Sequence, residues 1–219
     1  MTRPFLDMSY IYPPRPATGV HVRFGDDAYK MWMEFEDAIG EFKLNGQRNG
    51  IYISPRDDIE LWGRHGEQHR KYQPSLELLK AIRALPYPRG KWNVLDSELL
   101  HKKLRGADYP QFKHRVYMYD VLVWGGEYLL GETLKTRHGL LETLTDQVVN
   151  LQDETLQPQV FRSYWLKPSE WAAAWKWVEK YPWNEGLVLK RTGHLSRLQV
   201  GSKEENNGGW SNRMRLSDL

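Results

Sequence analysis

The segment Glu41-Phe42-Lys43-Leu44-Asn45-Gly46-Gln47-Arg48 places a lysine two residues after a carboxylate and follows it with a glycine and an arginine. A lysine attacks an electrophile only as the neutral amine. With a reference pKa near 10.4, roughly one lysine in 2,500 is neutral at pH 7. A site that uses Lys43 as a nucleophile must therefore lower its pKa, by burial or by nearby positive charge. In a strand, Glu41 and Lys43 share one face. Gly46 gives a tight turn after the lysine and removes a side chain beside it. The planar fork of Arg48 suits phosphate or ribose hydroxyls. Taken singly, Lys43 reads as a surface lysine, Gly46 as an ordinary turn glycine, and Glu41 and Arg48 as members of surface ion pairs.

The useful feature is the ordered set downstream. Asp96-Ser97-Glu98 ends an apolar stretch, and Tyr117-Met118-Tyr119-Asp120-Val121-Leu122 comes next. Glu185-Gly186-Leu187-Val188-Leu189-Lys190 follows, and Arg213 and Arg215 close the chain after Trp210. Lys190 lies five residues after Glu185 and would face the opposite side of an unbroken strand. A bulge, a twist or the reach of the lysine stem is required if both serve one site.

In this order the segments resemble the successive motifs of the covalent nucleotidyltransferase superfamily, which includes DNA ligases, RNA ligases and mRNA capping enzymes. The signature of that superfamily is Lys-x-Asp-Gly-x-Arg, then Asp-Gly/Ser-Glu, aromatic-Asp-x-Leu, Glu-Gly-x-x-x-Lys and a Lys-x-Lys pair. The Pro-Pro-Arg-Pro lead-in and Arg64-His65-Gly66 also resemble phage-type ligases, and the wording around Glu98 and Tyr119 is similar to DNA ligases. The resemblance implies an α+β fold, a ligase-type nucleotidyltransferase (ATP-grasp-like) domain with mainly antiparallel sheets flanked by helices. It implies an ATP-dependent polynucleotide ligase that seals 5′-phosphate/3′-hydroxyl breaks. Lys43 would take AMP from ATP, Glu41 would lie near the adenine amino edge and Arg48 near the ribose. Glu98 would accept from a ribose hydroxyl or help place a metal, and Tyr119 would stack on adenine, worth ~1–3 kcal/mol. Glu185 would hold Mg²⁺ or Mn²⁺, hard cations that prefer oxygen ligands. Lys190, Arg213 and Arg215 would contact the nucleotide, and Arg64 would grip the 5′-phosphate of the broken strand. Asp120 reads as structural. DNA is the first expected substrate. An RNA ligase, a capping-type guanylyltransferase and a non-catalytic module that binds nucleic-acid ends are the alternatives.

Three departures stand out. Asn45 takes the place of an aspartate and loses a charge while keeping a hydrogen-bonding side chain. Arg213 and Arg215 stand for lysines; arginine binds phosphate but cannot act as a compact point charge. Only four residues follow Arg215, so the expectation is one nucleotidyltransferase domain over residues 1–219 with no OB-fold domain. That would make it a minimal enzyme, a truncated chain, or a domain that relies on a partner.

Several elements must position these residues. The 3.6-residue periodicity and capping residues predict helices over 26–37, from Leu76 to Leu85, over Thr136–Leu151, and from Ser169 to before Pro182. The Leu76, Leu79, Ile82 and Leu85 spacing marks the apolar face of the second. Ile51–Ser54 and Ile59–Trp62 form a hairpin around Pro55-Arg56-Asp57-Asp58. Further strands are expected at Trp92–Leu100, Arg115–Trp124, Glu127–Leu130, Gln159–Phe161, Gly186–Lys190, Ser196–Val200 and Arg213–Leu216. Residues 1–20, with Pro13, Pro14 and Pro16, read as irregular. Strands that arrive as hairpins without a regular β-α-β alternation argue α+β.

Bulk properties narrow the class. The chain of 219 residues holds 10 Trp, 12 Tyr and 6 Phe, rings that can build a core or stack on bases. The stretch Trp165, Trp171, Trp175, Trp177, Trp183 fits core packing, with two of its members four apart on one helix face. There is no cysteine, which excludes disulfides, thiolate zinc sites and a cysteine nucleophile. The histidines form no zinc-binding pattern. No apolar run approaches the ~20 residues of a membrane span, and the N-terminus lacks a signal-peptide core. A cytoplasmic, intracellular monomer is expected. The net charge of +3 permits a nucleic-acid partner, nicked or broken. The basic clusters Arg64–Lys71 and Arg191–Arg215 could line its path.

Overall fold

The computed structural model describes residues 8–13, 16, 22–69, 72–101, 109–129, 131–149, 156–195, 199–200 and 210–215. In chain order the elements are β1 (Ile11–Tyr12), α1 (Asp27–Met33), β2 (Ala38–Leu44), β3 (Gln47–Ile53), β4 (Ile59–Gly63), α2 (Leu76–Ala84), β5 (Asn93–Leu100) and β6 (Arg115–Trp124). There follow β7 (Glu127–Tyr128), α3 (Leu134–Leu144), β8 (Val160–Arg162), α4 (Trp171–Lys180), β9 (Asn184–Arg191), β10 (Gln199–Val200) and β11 (Ser211–Arg215). The fold is α+β. A larger sheet runs β4-β3-β5-β6-β7, with β8 added beside β6, and a smaller sheet runs β11-β9-β2. Among the described residues every pairing between these strands is antiparallel except β6 with β8.

Alternation along the strands gives each sheet a dry face turned to helices and a second face with the polar residues, which on the larger sheet also carries an apolar cluster that includes Tyr10, Tyr52, Trp62 and Val94. The dry face of the larger sheet, with Ile51, Leu95, Val116, Met118 and Val121, packs on Leu78 and Ile82 of α2 and Leu141 of α3. That of the smaller sheet, with Ala38, Leu187, Leu189 and Met214, packs on Trp32 of α1 and Trp171 and Trp175 of α4. Fully burying one large apolar side chain contributes roughly 1.5–3 kcal/mol, so both helical layers are firmly seated. The polar faces meet across a cleft whose inner end is closed by Leu44, Leu100, Phe112, Tyr117, Phe161, Tyr181 and Trp183.

The caps are those expected of short polar residues. Asp26 accepts from Tyr29 N at 2.7 Å, Ser75 from Leu78 N at 3.2 Å and Thr133 from Thr136 N at 3.1 Å.

Four local expectations are corrected. Ile11–Tyr12, inside the stretch read as irregular, pairs with β10. The helix expected over Thr136–Leu151 runs Leu134–Leu144, because Thr133 caps it earlier and Thr145 is extended; residues 150 and 151 lie outside the described residues. The fourth helix is entered by a tight turn at Pro168–Glu170, with α4 itself beginning at Trp171. On α2 the buried residues are Leu78 and Ile82, while Leu76 is 69% exposed. Of the late strands, residues 196–198 and 216 lie outside the described residues, as do Arg70, Lys71, Arg197 and Lys203 of the basic clusters.

Candidate functional site

The two polar faces enclose a cavity of about 640 Å³. Glu41, Lys43, Arg48, Arg64, Glu98, Tyr119, Glu185, Lys190, Arg213 and Arg215 all line it. On the smaller sheet the register explains this. Lys43 lies opposite Gly186, Glu41 opposite Val188, and Ile39 opposite Lys190, while Ser211, Arg213 and Arg215 of β11 face Lys190, Val188 and Gly186. Cross-strand partners share a face, so these basic and acidic side chains project together.

Glu185 reaches the same space through an irregularity. Lys43 pairs with Gly186 but Leu44 pairs with Asn184, so Glu185 is the extra residue of a β-bulge. That answers the facing problem between Glu185 and Lys190. Gly186 is obligatory here: its φ is +153°, and a Cβ would collide with the carbonyl oxygen of Met214. Lys43 Nζ donates to Glu185 Oε2 in a part-buried ion pair.

A second bulge serves the larger sheet. Asp96 pairs with Asp120 and Ser97 with Met118, leaving Tyr119 as the extra residue of β6. Tyr119 and Asp120 consequently both line the cleft. The Tyr119 hydroxyl donates to Ser97 O at 3.0 Å, and its ring lies 5.0 Å from the Arg48 guanidinium and 5.3 Å from Lys190 Nζ. Asp120 pairs through both oxygens with buried Arg137, at 2.7 and 3.0 Å, in keeping with a structural role.

Arg48 holds Asp96 through two donors, Nε to Oδ1 at 2.6 Å and Nη2 to Oδ2. Burial raises the Asp96 pKa to about 6, against the opposing pull of Arg48. Burial likewise pushes Glu98 up to about 7; Lys43 and Arg48 counteract this, while Glu185 and Asp96 add to it. Gly46 packs against β5, where an added Cβ would sit 2.6 Å from Leu99 O and 2.7 Å from Glu98 Cγ. A side chain at 46 would thus displace Glu98.

Glu41 is 3% exposed and takes three donors. Its Oε1 accepts from Ser163 Oγ at 3.1 Å and Trp165 Nε1 at 2.9 Å, and its Oε2 accepts from Lys190 Nζ. Ser163 and Trp165 were not among the sequence candidates. Trp165 is the member of the tryptophan cluster that serves the site, and the His138 ring stacks on it at 4.0 Å. Burial lowers the His138 pKa, which leaves a neutral ring as the support. A polar Ser-Tyr-Trp run directly after β8 was the available signal.

Arg64 sits at the mouth, after β4, exposed and donating to His65 Nε2 at 2.9 Å. Among the described residues no cluster of three or more His, Asp or Glu side chains forms a metal cage. Two of the carboxylates that line the cleft, Glu98 and Glu185, are candidates to hold an ion. Mg²⁺ is commonly held by one or two carboxylates plus phosphate oxygens and water, so this donor set fits such an ion in the company of a phosphorylated ligand. No helix among the described residues is long and apolar enough to cross a membrane.

The α+β fold, with mainly antiparallel sheets flanked by helices, matches that of ligase nucleotidyltransferase domains in comparison with solved structures. The ligase domain of M. tuberculosis LigD superposes with a TM-score of 0.55 at 19% identity, covering 81% of this chain and 53% of that one. A mycobacterial DNA ligase D complexed with ATP gives 0.54 at 18%, covering 82% and 54%. The ATP-dependent DNA ligase of bacteriophage T7 in complex with ATP gives 0.51 at 15%, covering 90% and 67%. The chain spans about half the length of the first two. No protein-family model matches the sequence, and no curated protein does; at these identities the likeness is one of fold.

Proposed function

We propose that this chain is the adenylyl-transferring domain of an ATP-dependent polynucleotide ligase, with DNA as the favoured substrate. The observation that carries the reading is the convergence of five separated segments on one cleft around Lys43. In the first step the Lys43 amine, freed from Glu185 and deprotonated, attacks the α-phosphorus of ATP. The bond to pyrophosphate breaks and a phosphoramidate to AMP forms. In the second, the 5′-phosphate at a break attacks that phosphorus and releases Lys43. In the third, the 3′-hydroxyl attacks the activated 5′-phosphate and expels AMP.

Each residue has a part in this scheme. Glu41, paired with Lys190 and oriented by Ser163 and Trp165, accepts from the adenine amino group. Tyr119 stacks on the base, and Glu98 and Arg48 lie along the ribose. Arg213, Arg215 and Lys190 supply fixed positive charge, since phosphoryl transfer is catalysed mainly by positioning and charge neutralisation. Arg64 at the mouth receives the 5′-phosphate. Mg²⁺ or Mn²⁺ held by Glu185 and Glu98 would supply further charge neutralisation at the phosphates. The protein acts as a monomer on nicked or broken nucleic acid.

The test is sealing of nicked duplexes with all-DNA or RNA-containing strands, with ATP or GTP as cosubstrate. The expected result is ATP-dependent sealing that is fastest on DNA. Preference for an RNA strand would make it an RNA ligase, and protein labelling by GTP alone would make it a capping-type enzyme. Binding of ends without labelling by either nucleotide would leave only a binding module.

A further inference from the structure

Tyr117 lines the cleft but takes no part in the scheme above. Its ring packs on Phe161 at 5.5 Å and edge-on to Tyr119 at 6.0 Å. The residue is 2% exposed, and its hydroxyl makes no hydrogen bond among the described residues. Native proteins keep few buried hydroxyls unpaired, and each one asks for an explanation. Packing alone does not supply it, because a phenylalanine would fill the same ring position without stranding a polar group.

The surroundings indicate what is missing. Glu98 is the direct cross-strand partner of Tyr117 on the cleft face. A tyrosine hydroxyl keeps its proton near neutral pH and is a donor. Glu41 already has three donors. An ionised carboxylate only accepts, while the tyrosine hydroxyl has a hydrogen to give. A ligand hydroxyl satisfies both at once, donating to Glu98 and accepting from Tyr117. A purine amino group gives hydrogens to a carboxylate but is a poor acceptor for Tyr117.

The geometry points to Tyr117 as a nucleotide-contacting residue that, with Glu98, grips one ribose hydroxyl of the bound nucleotide. This rests on the nucleotide-binding reading above and adds a residue and a ligand atom to it. A pocket that keeps an unpaired hydroxyl when empty gives up stability for affinity, so one substitution should move the two in opposite directions.

The experiment compares Tyr117→Phe with its parent, both in a Lys43→Ala background so that bound nucleotide is not consumed. Calorimetry measures ATP, 2′-deoxy-ATP and 3′-deoxy-ATP, and a thermal melt is run without nucleotide. The expected results are a melting temperature equal to or above the parent's and about a 10-fold loss of ATP affinity. That loss should vanish for the one deoxynucleotide that lacks the partner hydroxyl. Unchanged ATP affinity, or an equal loss for all three nucleotides, would overturn the inference and leave the ligase reading standing. If the parent binds no ATP at all, that reading fails and takes this one with it.

Discussion

Replacing Lys190 with methionine should destabilise the protein by about 3 kcal/mol. The Lys190 side chain is 9% exposed and that of Glu41 3%, so water screens neither charge. Methionine keeps most of the length and volume but strands the Glu41 carboxylate. Removing one partner of a buried pair costs roughly 3–5 kcal/mol. The lower end applies here because Ser163 and Trp165 still donate to Oε1. Such a loss is a large fraction of the ~5–15 kcal/mol that holds a typical domain together. Adding Glu41→Gln removes the stranded charge at nearly constant shape, so the double variant should recover about 2 kcal/mol. Urea unfolding followed by tryptophan fluorescence measures all four proteins. The reasoning is refuted if Lys190→Met loses less than about 1 kcal/mol, or if the two substitutions add without coupling.

Glu98 has a folded-state pKa raised to about 7, so the folded chain binds an extra proton between roughly pH 4.5 and 7 and its stability falls as pH rises through that window. Glu98→Gln should therefore stabilise the nucleotide-free protein at pH 8 by about 2 kcal/mol, a figure reduced for partial exposure, and should give almost nothing at pH 4.5. Equal gains at the two pH values would contradict the assignment of that cost to Glu98. Gly186→Ala should lose at least ~3 kcal/mol, because a methyl group there displaces the β11 backbone at Met214; a melt within a few degrees of wild type would show that the strand gives way. Arg64→Ala should slow sealing of a preadenylylated nick more than it slows adenylylation of Lys43, since the first step involves no nucleic acid. Equal slowing in single-turnover assays would place Arg64 in the nucleotide pocket or the fold.

The segments that meet at the cleft were legible through their resemblance, in chain order, to a known set of motifs, since each residue taken singly is common. Their strands were legible too: Arg115–Trp124 is rich in Val, Tyr and Trp, and Asn93–Leu100 carries Val94, Leu95, Leu99 and Leu100. The two bulges were not. The extra residue at Glu185 or Tyr119 exists only relative to a partner strand, and pairing register is a long-range property. Glu41 lies 122 and 124 residues from Ser163 and Trp165, so no local pattern connects them. Arg48 read as a free fork for a ligand, whereas Asp96, one strand away, takes two of its donors. Leu76 matched the helical spacing yet faces solvent, because the sheet selects the Leu78–Ile82 stripe of α2. Periodicity finds a helix more readily than it finds the face that is buried.

The central claim is a covalent bond between Lys43 and AMP. Wild-type protein incubated with radiolabelled ATP and a divalent cation, then digested and mapped by mass spectrometry, should carry one AMP on the peptide that contains Lys43. Pyrophosphate should reverse the labelling, and Lys43→Ala should take up none while melting normally. Label on another residue, or equal label on the folded Lys43→Ala protein, would contradict the account.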